Sequence, residues 1–155
     1  MIAILQRAVA FTAALLVLAA SLLSAGAGSA AKDEAVKLRV QLIWGSNDDS
    51  SPNPNHKEVD SALRKKLTNV FKWKSYFEVH NQEASIPPKG TKRLKLSPKC
   101  EVEIKNLGGG QITAKLFGEG KLQADHRYNT TRKEPLILGS EDKNKTAWFV
   151  ILSPL

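Results

Sequence analysis

Hydrophobic and polar residues alternate most regularly between Leu94 and Leu122. Three short segments there place an apolar residue at every second position, which is the period of a strand with one buried face. The apolar positions are Leu94, Leu96, Cys100, Val102, Ile104, Ile112, Ala114 and Leu116. Pro98 and the glycine-rich segments 108–110 and 118–120 separate the strands and favour tight turns. The pattern predicts an antiparallel meander.

A hairpin centred on Gly108 would join two strands of this meander. The apolar pattern and the charge pattern then predict the same register between them. Apolar residues then oppose one another on one face, and a glutamate opposes a lysine on the other. The predicted cross-strand pairs are Ile104 with Ile112, Val102 with Ala114, Cys100 with Leu116, and Glu101 with Lys115.

Other strands are predicted before and after the meander. The first covers residues 36–45, where Leu38, Val40, Leu42 and Trp44 share one face and the opposite face is polar. A second covers 71–82, with its lysines and Tyr76 on the outer face. Further strands are predicted over 120–125, 135–139 and 146–153. The last of these is almost continuously apolar, which predicts a central strand buried on both faces.

One amphipathic helix is predicted after the first strand. Asp60 is a suitable N-cap, and the apolar residues that follow it recur with helical spacing. The predicted buried stripe consists of Leu63, Leu67, Val70 and Phe71. The predicted outward-facing residues are Arg64, Lys65, Thr68 and Asn69.

These elements together indicate a mainly β fold. About eight short strands and one inserted helix are separated by turns rich in glycine, proline and asparagine. We expect an antiparallel β-sandwich, with a small barrel as the alternative. Residues 32–155 are predicted to form this single domain.

Residues 1–31 have the pattern of a secretory signal peptide. Arg7 precedes an apolar run over 8–23, and small residues continue to Ala31. Cleavage after Ala27, Ala30 or Ala31 would release the domain into the periplasm or the extracellular space. An uncleaved N-terminal membrane anchor is the alternative. The protein is therefore predicted to be exported.

Candidate catalytic and metal-binding residues are few. Cys100 is the only cysteine, and its position on an apolar face predicts an inert, buried thiol. The loop at 46–56 contains Asp48 and Asp49 but lacks the glycine and glutamate of a calcium-binding loop. No nucleophile elbow, phosphate-binding loop or metal-ligand spacing is present, so no enzyme activity, metal or cofactor is predicted. An enzyme would be expected to hold His80 or His126 in a pocket.

Positive charge is the strongest remaining signal. The formal net charge is +8, and removal of Arg7 with the leader leaves +7. Such an excess suits an acidic protein, an anionic polysaccharide or lipid headgroups, whereas nucleic acid is not expected as the partner of an exported protein. The candidate binding residues are Arg64, Lys65, Lys72, Trp73, Lys74, Tyr76, Lys92, Arg93 and Lys95.

The aromatic residues and lysines between 71 and 77 have two interpretations. Together they could grip a polyanion or stack on sugars, or Trp73 and Phe77 could belong to the core beneath a solvated face of lysines. Two functions follow: a non-catalytic interaction or structural module of the cell envelope or extracellular space, and a polyanion- or glycan-binding protein. An enzyme without a recognisable motif is a third hypothesis.

Overall fold

The computed structural model describes residues 33–142 and 144–155. The predicted leader, residues 1–31, lies outside them. The described elements are β1 (Val36–Ser46), β2 (Lys57–Glu58), α1 (Ser61–Val70), β3 (Ser75–Ile86), β4 (Thr91–Ser97), β5 (Cys100–Gly108), β6 (Gln111–Gly118), β7 (Lys121–Asn129), β8 (Leu136–Glu141) and β9 (Ala147–Pro154). Among these described residues, no helix has the length and hydrophobicity required to cross a bilayer.

Two antiparallel sheets form the predicted sandwich. The five-stranded sheet has the order β2-β3-β1-β9-β8, and the four-stranded sheet has the order β4-β5-β6-β7. Apolar residues from the facing sides of both sheets pack into what we call the main core. Leu38 and Leu152 represent the first sheet in it, and Val102 and Ile112 represent the second. Because the sheets are separate and pack face to face, the fold is a sandwich and not a barrel.

A second group of buried residues, which we call the outer core, lies on the other side of the five-stranded sheet beneath α1. Phe149 and Ile151 of β9 point to this side, and Leu67 of the helix packs with them. The Phe149 ring covers Gly45 and Gly139, where an added Cβ would come within 2.9 and 3.0 Å of it. β9 is therefore central and buried on both faces, as predicted.

The predicted register between β5 and β6 is wrong by two residues. The observed pairs are Asn106 with Ile112, Ile104 with Ala114, Val102 with Leu116, Glu103 with Lys115, and Cys100 with Gly118. The reason is Asn106, which is fully buried between the sheets. Its amide donates to the carbonyls of Glu34 and Ile86 at 2.9 and 3.2 Å, and its Oδ1 accepts from the Gly108 N–H at 2.9 Å. These bonds hold a polar residue at an inward-facing position. A search for alternating apolar residues does not detect such a position.

The helix begins where the sequence predicts and contacts the sheet along a narrow line. The Asp60 carboxylate accepts from the backbone N–H of Leu63 at 2.9 Å, which is the predicted N-cap. Leu67 is the buried residue of α1. The prediction that Val70 also belongs to the buried stripe is wrong, because its side chain is 71% exposed. Val70 is in the last turn, and the contact between α1 and the sheet is too narrow to cover it as well as Leu67.

β3 begins four residues later than predicted. Residues 71–74 connect α1 to β3 instead of opening the strand. Phe71 forms the C-cap of the helix, and Trp73 packs in the outer core. The strand continues beyond its predicted end to Ile86, where two consecutive prolines follow. The unpredicted strand β2 pairs with β3 at the edge of the sheet.

Candidate functional site

The candidate binding residues lie on two separate parts of the sandwich. α1 and the loop after it carry one set: Arg64, Lys65, Lys72, Trp73 and Lys74. β4, an edge strand of the four-stranded sheet, carries a second set: Lys92, Arg93 and Lys95. The five-stranded sheet lies between α1 and β4, so the two sets do not form one surface.

Trp73 and Tyr76 lie in the outer core, with exposed fractions of 8% and 2%. Tyr76 does point to the outer side of its sheet, but α1 covers that side. Its hydroxyl donates to the Phe71 carbonyl at 3.3 Å, its ring centroid lies 6.0 Å from that of Phe149, and burial raises the pKa of its phenol. The interpretation of Trp73 as a core residue is confirmed. The expectation that Trp73 and Tyr76 contribute to a binding surface is wrong, because neither ring is available to stack on a ligand.

Arg93 on β4 is held by acids of the neighbouring strand. Its guanidinium lies 2.7 Å from Glu101 and 3.9 Å from Glu103, and its Cζ atom lies 4.2 Å from the ring centroid of Phe117. Ion pairing and stacking together fix the orientation of this side chain. Arg93 is therefore mostly engaged within the sheet.

Other lysines are paired with acids that are distant in the sequence. These pairs are Lys74 with Asp49, Lys89 with Asp33, and Lys99 with Glu119. Lys92 and Lys95 form no salt bridge within the described residues. The run of positive charge between residues 89 and 99 is thus partly neutralised by folding, which its sequence alone does not reveal.

Apart from Lys74, the cations on α1 and in the loop after it form no salt bridge with another described residue. Arg64, Lys65 and Lys66 are all exposed, and none forms a salt bridge with another described residue. The exposed Lys72 lies 6.0 Å from the ring centroid of Trp73. The candidates chosen from the sequence do not include Lys66. Its position directly after Arg64 and Lys65 in a run of three basic residues could have identified it. We call Arg64, Lys65, Lys66 and Lys72 the helix-side surface.

A groove of about 320 Å³ adjoins the helix-side surface. Its lining includes Lys72, Trp73, Glu141 and Thr146. The volume is at the low end of the range for small-molecule sites. Because its lining combines both signs of charge, the groove suits a polar group of a partner better than an apolar ligand.

The two histidines considered for catalysis lie outside this groove. His80 pairs with Leu42 and thus faces the space between the sheets, where its Nε2 and that of Gln82 have no hydrogen-bond partner among the described residues. His126 is exposed on the edge strand β7. The described residues bring together no group of three or more histidine, cysteine or acidic side chains that could hold a metal ion.

Cys100 is half-buried against the main core. Burial, with a smaller contribution from the neighbouring Glu101, raises the pKa of its thiol to about 11. The thiol is therefore protonated at neutral pH, whereas its predicted burial is only partial.

No protein-family model, curated protein or solved structure matches this chain. A functional inference must therefore rest on the residues of the chain itself. Among the surfaces described above, the helix-side surface combines exposure with uncompensated charge.

Proposed function

We propose that the chain is an exported, non-catalytic β-domain that serves as an interaction module of the cell envelope or extracellular space. In this proposal the helix-side surface binds an acidic protein partner. The observation that carries it is the exposure of four neighbouring cations without acid partners among the described residues. The net charge of +8, or +7 without Arg7, adds long-range attraction to an acidic surface.

α1 is well placed for such a role because it is an addition to the sandwich. It buries Leu67 against the sheet and leaves most of its other side chains exposed. Val70 is exposed next to Lys66, four residues earlier on the same side of the helix. The surface therefore offers an apolar contact beside its charges, a combination that is typical of protein interfaces.

Binding of an anionic polysaccharide or of lipid headgroups is the alternative function. The exposed Lys92 and Lys95 support it, because they add cations that have no salt bridge within the described residues. However, Trp73 and Tyr76, the side chains that would stack on sugar rings, are buried. An acidic protein partner is therefore the better-supported proposal.

Two double variants with the same change in net charge distinguish these functions. K65E/K66E alters the helix-side surface, and K92E/K95E alters β4. Glutamate is a good helix former, so the first variant preserves α1. Thermal unfolding first establishes that both variants fold. Salt gradients then elute each protein from immobilised polyglutamate, heparin and a sulfonate cation exchanger of matched charge density.

We expect K65E/K66E to elute from polyglutamate at clearly lower salt than K92E/K95E, because a local cluster and not net charge determines retention. Equal losses for both variants on all three matrices would show that the positive charge is diffuse and would contradict the proposal. Retention on heparin far above that on sulfonate, reduced mainly in K92E/K95E, would favour the polyanion alternative.

A further inference from the structure

The register of the four-stranded sheet sets four residues side by side on its outer face. Thr91 pairs with Lys105, Lys105 with Thr113, and Thr113 with Arg127, so each strand contributes one residue. Opposed residues of an antiparallel pair point to the same face of the sheet. Ile104 points into the main core, so its neighbour Lys105 and the three residues in line with Lys105 point away from it. We call Thr91, Lys105, Thr113 and Arg127 the cationic row.

The next row of the same face balances its own charge. It lies two residues away from the cationic row on each strand. Its members, in order from β4 to β7, are Arg93, Glu103, Lys115 and Asp125. Positive and negative side chains therefore alternate across the sheet, and opposite charges on opposed residues attract. An added anion would gain little from this row, because each of its cations already faces a carboxylate.

The cationic row contains no acid. Lys105 and Arg127 are exposed, and neither forms a salt bridge with another described residue. Their Cα atoms are two strand spacings apart, or about 10 Å, with the half-buried Thr113 between them. Lysine and arginine side chains donate hydrogen bonds and accept none, and a threonine hydroxyl can donate as well. The row therefore offers two uncompensated charges and a line of donors to an anionic ligand.

The composition of the cationic row indicates which anion fits. It has no aromatic or large apolar side chain, so it lacks the apolar centre of a typical protein interface and the rings on which nucleic-acid bases stack. The sheet face is open, so a polymer that contacts several donors at once binds better than a single small anion. We propose that an anionic polysaccharide crosses the four-stranded sheet along the cationic row.

This surface lies on the opposite side of the sandwich from the helix-side surface. α1 covers the outer side of the five-stranded sheet, whereas the cationic row lies on the outer face of the four-stranded sheet. Both surfaces can therefore be occupied at the same time, and the domain would hold an acidic protein against a polysaccharide. The polysaccharide site does not depend on the function proposed above, because the two surfaces share no residue.

Two double variants that remove the same charge test the site. K105Q/R127Q neutralises the cationic row, and K65Q/K66Q neutralises part of the helix-side surface. All four side chains are exposed, so both variants should fold, which thermal unfolding verifies. Each protein, expressed as the complete chain and purified in soluble form, is titrated calorimetrically with heparin and with polygalacturonate at one ionic strength, since salt screens exposed charges. We expect K105Q/R127Q to bind both about ten-fold more weakly than the unchanged protein, and K65Q/K66Q to lose about two-fold or less.

Lysine acetylation tests the site on the unchanged protein. Bound heparin should protect Lys105 from acetylation, as measured by mass spectrometry, whereas Lys65 and Lys66 should stay as reactive as in the free protein. Unchanged affinity of K105Q/R127Q, equal losses for the two variants, or an unprotected Lys105 would overturn the proposal.

The same variants distinguish a polysaccharide from other acidic partners. Polyglutamate represents an acidic protein, and vesicles that contain an anionic phospholipid represent a membrane surface. If K105Q/R127Q loses more affinity for either of these than for the polysaccharides, the assigned partner is wrong. None of these results decides the helix-side proposal, which K65E/K66E tests separately.

Discussion

Asn106 connects three strand ends through one buried side chain. It is fully buried, and its amide and carbonyl groups bond to the backbone of Glu34, Ile86 and Gly108. Glu34 lies two residues before β1, Ile86 ends β3, and Gly108 ends β5. A buried polar group is tolerated only when its hydrogen bonds are satisfied, and here they also join the two sheets. Asn106 therefore contributes to both the stability and the register of the sandwich.

Substitution of this residue by alanine should strongly destabilise the fold. Asn106→Ala leaves the buried Ile86 carbonyl and the partly buried Glu34 carbonyl and Gly108 N–H without their side-chain partner, and an unsatisfied buried group costs about 1–3 kcal/mol. We expect the free energy of unfolding to fall by about 3 kcal/mol or more in chemical denaturation. Asn81→Ala is the matched control, since Asn81 is exposed and, within the described residues, its side chain bonds only to Glu78 at 3.3 Å. Similar losses for both variants would contradict the role assigned to Asn106.

The thiol of Cys100 gives a prediction that depends on pH. Its pKa is raised from 9.0 to about 11, chiefly by burial, so the folded protein disfavours the thiolate. Alkylation by iodoacetamide should therefore be about a hundred-fold slower than for a free thiol near pH 8 and should increase until about pH 11. The raised pKa also stabilises the folded state. This contribution to the free energy of unfolding is fully present below pH 9 and is lost as the pH rises through 11. In denaturant, Cys100 should be alkylated at the rate of a free thiol. Fast alkylation of the folded protein at pH 8 would contradict the raised pKa.

At the level of elements, α1 depends on one buried side chain. A ten-residue helix is marginal alone, so its contacts with the outer core must hold it in place. Leu67→Ala should reduce the free energy of unfolding by about 2–4 kcal/mol, because the side chain is fully buried. Val70→Ala in the same helix should change it by less than about 0.5 kcal/mol, since Val70 is exposed and alanine favours helix. Urea unfolding measures both, and comparable losses would mean that the helix packs differently.

The sequence predicts which face of each meander strand is buried but not how the strands align. Period-two alternation identified Val102 and Ile104 as inward-facing, and both are buried. The same alternation is satisfied by any register that differs by two residues, so it could not select the observed one. That choice depends on hydrogen bonds from Asn106 to residues far away in the chain.

The binding surface was predictable to a similar extent. The cations of α1 follow from helical periodicity, and they are exposed as expected. The burial of Tyr76 was not predictable, because it requires a helix that covers the outer side of the sheet. The engagement of Arg93 with Glu101 and Glu103 likewise arises from pairing between strands, which no local pattern encodes.

For the whole molecule, the last strand completes both apolar layers. β9 lies between β1 and β8, contributes Val150 and Leu152 to the main core, and contributes Phe149 and Ile151 to the outer core. β1 is the first strand and β9 the last, so their pairing joins segments separated by most of the domain. Such non-local pairing is slow to form, because β9 pairs with β1 across the rest of the domain.

Truncation at the C-terminus tests this dependence. Deletion of residues 150–155 removes three buried side chains, each worth about 1.5–3 kcal/mol, together with their ladder bonds to β1 and β8. This loss is comparable to the entire stability of a typical domain, about 5–15 kcal/mol, so the truncated chain should show no cooperative thermal transition by circular dichroism. Deletion of Leu155 alone removes an exposed side chain and one backbone bond to Lys37 at 3.1 Å. That control should retain a cooperative transition and lose no more than about 1 kcal/mol. If the longer deletion also melts cooperatively, the two cores can form without β9, and its assignment as the strand that completes them is incorrect.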